Sequence, residues 1–473
     1  MKIAFIDTKG LGKGVNLGLG YLCAVIEKHR KFDKLIVFDF NNSPEEPAKK
    51  LEKIKGFDIV GISIKSFQLD ETVEVAKKIR EHNRILVAGG IHPTIDRNFL
   101  EQNPVFDIAV MGEAEETILD IVDYANGKKA LKDIKGIAYR ENGEVKINAP
   151  RELLKNLDSL PYPNYDYFDS VTKPEDIDPY PLSTSRGCPY SCIYCCANKI
   201  SGKGFRPRTP ESVIDELIKM KEKYKPSQIN IIDDNFTLDI DRAKKIIKLM
   251  IEKNINIHFV PASGIRADRV DRELLELFIK TGCTRLCFGI ESGNKKVFEN
   301  INKGETLEDI TKAIKLCQSM GISISGFFII GLPYATKGTE EESIKFAQSL
   351  NLDRASWSFL VPYPGTEVWD WATQNNYVLG DWKNMSSGMF HQGKETIVST
   401  PEFTREDRIK IFKEANIKTF NYPALFDRKK GIVYNMFMTV FLILRYDAIH
   451  LHKHIGFAYR HLKGILYYSK RLY

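Results

Sequence analysis

Two runs in which short apolar segments alternate with amphipathic stretches constrain this 473-residue chain more than any other feature. From Met1 to about Asn126 the apolar segments are KIAFID, LIVFDF, DIVGISI, RILVAGG and DIAVMGE, separated by helical patterns such as LGYLCAVIEKHR and ETVEVAKKIREH. Segments rich in Val and Ile and spaced by helices are the pattern of a parallel sheet wound on both faces. The reading is a Rossmann-like or flavodoxin-like domain, whose ligands bind where the carboxyl ends of strands turn into helices. Those turns read DTKGLGKG, GISIKS, GGIHPT and MGEAEET; their glycines let backbone approach a ligand closely, and Ser63, Ser66 and Thr94 offer hydrogen bonds. Next, Asn142-Gly143 between alternating runs predicts a hairpin. The stretch NLDSLPYPNYDYF, rich in Pro, Asp and Tyr, reads as an interdomain linker, with the boundary within Asn156 to Pro181.

The alternation resumes with SQINIID, NIHFVPAS, TRLCFGI, ISISGFFII and RASWSFL, separated by PESVIDELIKMKEKY, DRELLELFIK and LEDITKAIKLCQSM. With the strand-like LSTS before them these make about six βα units, enough for a partial TIM-type barrel whose reactive face lies at the strands' carboxyl ends. Asp233-Asp234-Asn235-Phe236, Ser263 with Arg266, Glu291-Ser292-Gly293 and Gly331-Leu332-Pro333 each follow a strand, so their polar groups would converge on one pocket. The expected organisation is a doubly wound domain over residues 1–150, a linker over 151–180, a partial (β/α)6 barrel over 181–400 and a helical C-terminal segment over 401–473.

Between Ser185 and Lys199 the chain reads SRGCPYSCIYCCANK, four cysteines within nine positions of a protein that has eight. The N-terminus shows no basic region, apolar core and small-residue cleavage site of a secretion signal, so a cytosolic setting is expected, where thiols stay reduced. Clustered cysteines there read as metal ligands or catalytic groups. Cys188, Cys192 and Cys195 form CxxxCxxC, and three thiolates from one loop suit three irons of a [4Fe-4S] cluster, leaving the fourth open. Zinc would call for a fourth Cys or His at finger-like spacing, and no His lies between His92 and His258; the adjacent Cys196 points elsewhere in an extended loop. A cluster is the better reading, against zinc or inert thiols.

The formal charge is only +7, but nine Lys and Arg against the single acid Asp447 lie between Arg428 and Tyr473. The same tail carries YNMFMTVFLIL, Tyr434 to Leu444, too short for the roughly 20 residues that cross a bilayer. A packed C-terminal helix with a solvated basic face competes here with peripheral contact to a membrane surface. No nucleic-acid recognition module is visible, and none is expected.

Set side by side, these motifs make the chain resemble the radical S-adenosylmethionine (SAM) enzymes that carry an N-terminal cobalamin-binding domain. RGCPYSCIYC matches that superfamily's signature, with the aromatic Tyr194 before the last cysteine; GFRPRTPESVIDEL, IDDNFT, FGIESGN, GFFIIGLP and VPYPGTEVW follow in order. In the first domain the resemblance rests on LGLGYLCAVIE, DIVGIS, GGIHPT and GEAEET, and altogether it spans roughly residues 1–420. It implies that Cys188, Cys192 and Cys195 hold the cluster and that the open iron chelates the amino and carboxylate groups of SAM. One electron then yields a 5'-deoxyadenosyl radical. It implies further that Tyr194 lies by the adenine, that Asp233 and Asp234 face the methionine amino group, that Ser263, Arg266 and Glu291 contact carboxylate and ribose, and that Ile330 and Gly331 rest on the adenine edge. For each of these the plainer alternative is a strand-end polar group satisfied by a neighbouring loop.

Two departures stand out. Where some cobalamin proteins have DxHxxG, this chain has Asp7-Thr8-Lys9-Gly10-Leu11-Gly12, and a protonated Lys9 cannot ligate cobalt. Cobalamin would thus lack a histidine ligand, with Thr8, Lys9, Ser63, Gly89, Gly90 and His92 as the residues expected around it and its nucleotide tail near Ser63, Gly89 and Gly90. PYATKG after Gly331-Leu332 replaces the usual Pro-Gly-Glu-Thr and alters one loop.

Cys283, Cys287 and Cys317 read as buried apolar thiols rather than a second cluster. The first domain has only Cys23, which argues against methylthiotransferases, whose layout is similar but needs a second cluster there. The leading expectation is a cobalamin-dependent radical methylase acting on an unactivated carbon. Radical ring formation or rearrangement without methylation is the alternative within the family, and a non-catalytic cluster or corrinoid sensor the alternative outside it. An electron donor such as a flavodoxin or ferredoxin is expected as a partner. Trp357, Tyr363, Trp369, Trp371 and Trp382, with the basic aromatic tail, suggest a lipid-like or isoprenoid small-molecule substrate.

Overall fold

The computed structural model describes residues 1–8, 10, 14–82, 85–380, 395–425 and 432–455. It separates into two compact units: Met1–Pro189 with Cys196–Ser263 and Glu276–Cys283, and Tyr190–Cys195 with Gly264–Leu275 and Thr284–Tyr473.

The first unit opens with β1 (Lys2–Asp7), β2 (Lys34–Asp39), β3 (Ile59–Ser63), β4 (Ile85–Gly89) and β5 (Ile108–Val110), followed by β6 (Ile137–Glu141) and β7 (Glu144–Ile147). They form one sheet in the order β2-β1-β3-β4-β5-β6-β7. The first five strands are parallel, and β6 and β7 close it as the antiparallel hairpin expected at Asn142-Gly143, both with positive φ. Because the buried strands are apolar on both faces, helices cover both: Leu17–His29 pairs with Glu115–Ala125, and Pro47–Ile54 with Leu69–Arg80. The order 2-1-3-4-5 is the flavodoxin-like variant, in which the winding order reverses between β1 and β3 while the strands stay parallel. Register sets Asp7 level with Asp39 and Ser63, and Ser63 level with Gly89, so four strand ends make one row along the sheet's upper edge.

The expected linker is built into this unit rather than spanning a gap. Phe168 forms a parallel bridge to Val37, Val37 N donates to Tyr167 O (2.7 Å) and Asp169 N to Val37 O (2.9 Å), capping the outer edge of β2. Buried Lys50 fixes it, with Nζ 2.7 Å from the Asp169 carboxylate. The unit continues with β8 (Tyr180–Leu182), the short antiparallel pair β9 (Ser185–Arg186) and β10 (Arg206–Pro207), then β11 (Gln228–Ile231) and β12 (His258–Pro261). Strands β8, β11 and β12 are parallel, in the order β12-β11-β8.

The second unit holds β13 (Arg285–Glu291), β14 (Ser323–Ile330) and β15 (Arg354–Phe359), again parallel and in chain order. These six strands are those of the expected partial barrel. Helix Arg405–Lys418 packs on β14 and β15, and helix Ile432–Tyr446 packs on it in turn, burying Ile443 against Ile417 and Tyr422. Trp382 and much of the basic tail lie outside the described residues.

Candidate functional site

At the carboxyl ends of β1, β3, β4 and β5 the first unit opens into a cavity of about 400 Å³. Asn16, the N-cap of helix Leu17–His29, organises the switch point. Its Oδ1 accepts from Leu19 N (3.2 Å), while Nδ2 donates to Asp7 Oδ1 (2.8 Å) and Ser63 Oγ (3.2 Å). Lys65 Nζ reaches Asp7 Oδ1 (3.0 Å) and Thr8 O (2.9 Å), and Thr8 Oγ1 donates to Ser63 O (3.1 Å). Burial pushes the Asp7 carboxyl up, with Lys65 opposing it.

Of the residues expected around cobalamin, Ser63, Gly89 and Gly90 line this cavity. At Gly89 an added Cβ would meet nothing within 4 Å, so a side chain there would project into open space. Gly90, at φ +95°, lies so close to the Ile64 backbone that a Cβ would stand 3.0 Å from its N and O. Thr8 is buried behind the rim, and Lys9 lies outside the described residues. His92 corrects an expectation: its side chain is fully buried, with Nδ1 3.2 Å from Ser66 Oγ and its ring edge-on to Phe99, and it does not line the cavity. Burial pushes its imidazole down to about 4, so it stays neutral. Leu17, Leu22, Val87 and Ile118 supply an apolar lining beside the polar row of Asn16, Ser63, Lys65 and Thr94, which suits the nucleotide end of a corrinoid.

The same cavity is walled by Ser183, Ser185, Arg186, Ile232 and Asp234, from the barrel strands of this unit. Asp234 Oδ2 accepts from Gly187 N (3.0 Å), one residue before Cys188. Gly187 has φ +88°, and a Cβ there would stand 2.1 Å from Gly204 O. Asp233 does something other than face a ligand: fully buried, it accepts from Thr184 N (2.6 Å), Thr184 Oγ1 (2.5 Å) and Ser185 Oγ (2.6 Å), pinning the strand end that leads into the cysteine loop. Arg186 donates to Glu113 Oε1 (2.8 Å) and Glu115 Oε1 (2.5 Å), and Arg206 to both Glu113 oxygens (3.0 Å). These carboxylates belong to the GEAEET loop, which the sequence marked only for its glycine.

Cys188 N donates to Gly202 O (3.3 Å) in the first unit. In the second, Cys195 N donates to Cys192 O (3.0 Å), and Ile193 is held by Ile301 O (3.1 Å) and Val368 N (3.2 Å). All eight cysteines are thiols; Cys195 is exposed, Cys188 and Cys192 half-buried, and Cys23, Cys283 and Cys317 buried as expected, whereas Cys287 is half-buried. Among the described residues no three His, Cys, Asp or Glu side chains converge on one point, and a cluster, whose thiolates bind separate irons, does not require it.

In the second unit Glu291 is buried at φ +64°, 3.4 Å from Lys303 Nζ, and lines one cavity with Tyr194. Lys303 also donates to Gly289 O, an anchor that no motif signalled. The Arg266 guanidinium donates to Lys303 O (2.7 Å), Gly304 O (3.1 Å) and the Asp268 carboxylate (2.9 and 3.2 Å) while stacking 3.5 Å over Tyr190, and so braces the loop at Lys303–Gly304. Ser263 is exposed just past β12, in the first unit. Ile330 is buried, and Gly331 is enclosed by two ionisable groups: its N donates to Glu340 Oε1 (2.8 Å) and its O accepts from Arg408 Nη1 (3.0 Å).

Comparison with known proteins accords with this geometry. Residues 182–347 match the radical SAM superfamily, and residues 4–122 the B12 binding domain. An uncharacterized methyltransferase of Pyrococcus horikoshii is 31% identical over 417 residues, covering 87% of this chain and 89% of that protein. The cytidylyl-2-hydroxyethylphosphonate methyltransferase of Streptomyces wedmorensis is 29% identical, covering 74% and 76%. The solved radical SAM methyltransferase TsrM of Kitasatospora setae, with cobalamin and a [4Fe-4S] cluster bound, shares the fold at TM-score 0.67 and 17% identity, covering 80% and 79%. The CxxxCxxC motif, a glycine-lined cavity at the switch point and these relatives lead to one conclusion: the chain belongs to the cobalamin-dependent radical SAM methyltransferase family, with a [4Fe-4S] cluster, SAM and cobalamin as its cofactors.

Proposed function

We propose that this enzyme transfers a methyl group to an unactivated carbon of a small-molecule substrate. The observation that carries the reading is the cavity in the first unit, which the strand ends of the B12-binding sheet share with Ser185, Arg186 and Asp234 of the barrel. When bound, cobalamin supplies a methyl carrier and the cluster with SAM supplies a hydrogen-abstracting radical. The chain's own residues hold the two chemistries together: Asp234 ties the cavity wall to the Gly187 turn, while Asp233 and the Glu113–Arg186 pair fix the strand end behind it. Methyl-labelled SAM and the reduced, cobalamin-loaded protein test this without a known substrate. Label on the corrinoid together with S-adenosylhomocysteine is expected. Formation of 5'-deoxyadenosine with neither product would favour ring formation or rearrangement instead.

We also propose that helix Ile432–Tyr446 rests on a membrane surface. Phe437, Val440, Phe441 and Leu444 recur at helical spacing and are 69%, 52%, 47% and 53% exposed, beside the strip that buries Ile443. A tail carrying nine basic residues against one acid complements anionic headgroups.

A further inference from the structure

The second unit contains a cavity of about 450 Å³ that runs from Tyr194 and Glu291 along β14 and β15. Its body is apolar and aromatic, with Phe327, Ile329, Val361 and Tyr363 among its walls, and Ser356 and Ser358 add hydroxyls. Arg354, the first residue of β15, also lines it. The side chain is half-buried, and among the described residues it has no hydrogen-bond acceptor and no ion pair. Across the strand its register partner is Ser325, and Cys287, whose charge it influences, is not an anion, because burial pushes that thiol up. A guanidinium confined beside apolar walls with no protein counter-ion is costly unless a ligand supplies one.

We propose that Arg354 is the recognition residue for an anionic group, a carboxylate or phosphate, on a substrate whose remaining body is apolar or aromatic. The assignment deepens the methyl-transfer reading and rests on it for the word substrate; the binding site itself does not. Register fixes the distance that matters. Glu291 is level with Phe328, and Phe328 with Trp357, so Arg354 lies three residues below Glu291, about 10 Å along the strands. An acid held there by a bidentate guanidinium would set which carbon of the substrate stands at the level of Glu291 and Tyr194.

Equilibrium dialysis of the anaerobically reconstituted holoenzyme tests this with three probes: 2-naphthoate, 2-naphthyl phosphate and the neutral 2-naphthylmethanol. At least one anion is expected to bind tenfold or more tighter than the alcohol, and which anion does so tells carboxylate from phosphate. Arg354→Gln should erase that preference, and Arg354→Lys, which keeps the charge and guards against misfolding, should retain part of it. Equal binding of anion and alcohol, binding of none of the three, or a preference that survives in Arg354→Gln overturns the assignment. No reductant is present, so the result is independent of whether methyl transfer occurs.

Discussion

At Gly331 a Cβ would stand 1.7 Å from Arg408 Nη1, and φ is +85°, where side chains are strained. Gly331→Ala should therefore cost about 2 kcal/mol or more, read as a lower thermal midpoint; an unchanged midpoint would show that the loop has room to shift. Its neighbour Glu340 makes a pH prediction. Burial pushes this carboxyl up from 4.5 to about 7, so between those values the folded protein keeps a proton that the unfolded chain has released. Stability from this group consequently falls as pH rises from about 4.5 to about 7. The Glu340→Gln variant lacks that loss, and its midpoint should gain on the natural protein's across the window; a constant difference would contradict the assignment. The sequence showed which residues stand at strand ends but not whom they face. The cysteine triad is legible as a motif because its spacing is itself a pattern, whereas the protein contacts of Asp233, Arg266 and His92 with Thr184, Lys303 and Ser66 are ones that no local pattern encodes.

Between elements, the loop after β5 and the strand before the cysteines are locked by Glu113. Its carboxylate takes both Arg186 and Arg206 and also accepts from Leu154 N (2.8 Å); burial pushes the carboxyl up, but the two guanidiniums outweigh it and hold it below the usual range. Glu113→Ala would leave the largely buried Arg206 guanidinium without its counter-ion and Arg186 with Glu115 alone, at about 3 kcal/mol. A reduced midpoint and lower iron content after reconstitution are expected, since Arg186 lies two residues before Cys188; wild-type values for both would remove this lock from the account. The strands themselves were readable in order, because runs such as KIAFID and LIVFDF carry Ile, Val and Phe at positions that are buried. The segment before β8 was not: its Pro and Tyr content suggests a spacer, and only the long-range bridge from Phe168 to Val37 makes it part of the sheet.

On the scale of the whole molecule, no helix among the described residues is long and apolar enough to cross a membrane. The proposed surface attachment of helix Ile432–Tyr446 is tested by flotation with phosphatidylserine vesicles. Binding that weakens with salt and is lost on deleting residues 428–473 is expected, and salt-independent partitioning that survives the deletion would refute it. The proposed function requires one protein to house both the radical-generating cluster and a corrinoid in the switch-point cavity. Its most direct test is a single anaerobic measurement of bound corrinoid, bound iron and 5'-deoxyadenosine release in the natural protein and in Gly89→Val, whose new side chain enters the cavity. Corrinoid, iron and 5'-deoxyadenosine are expected in the former, and loss of corrinoid with iron retained in the latter. Equal corrinoid content in both proteins, or none in either, would contradict it.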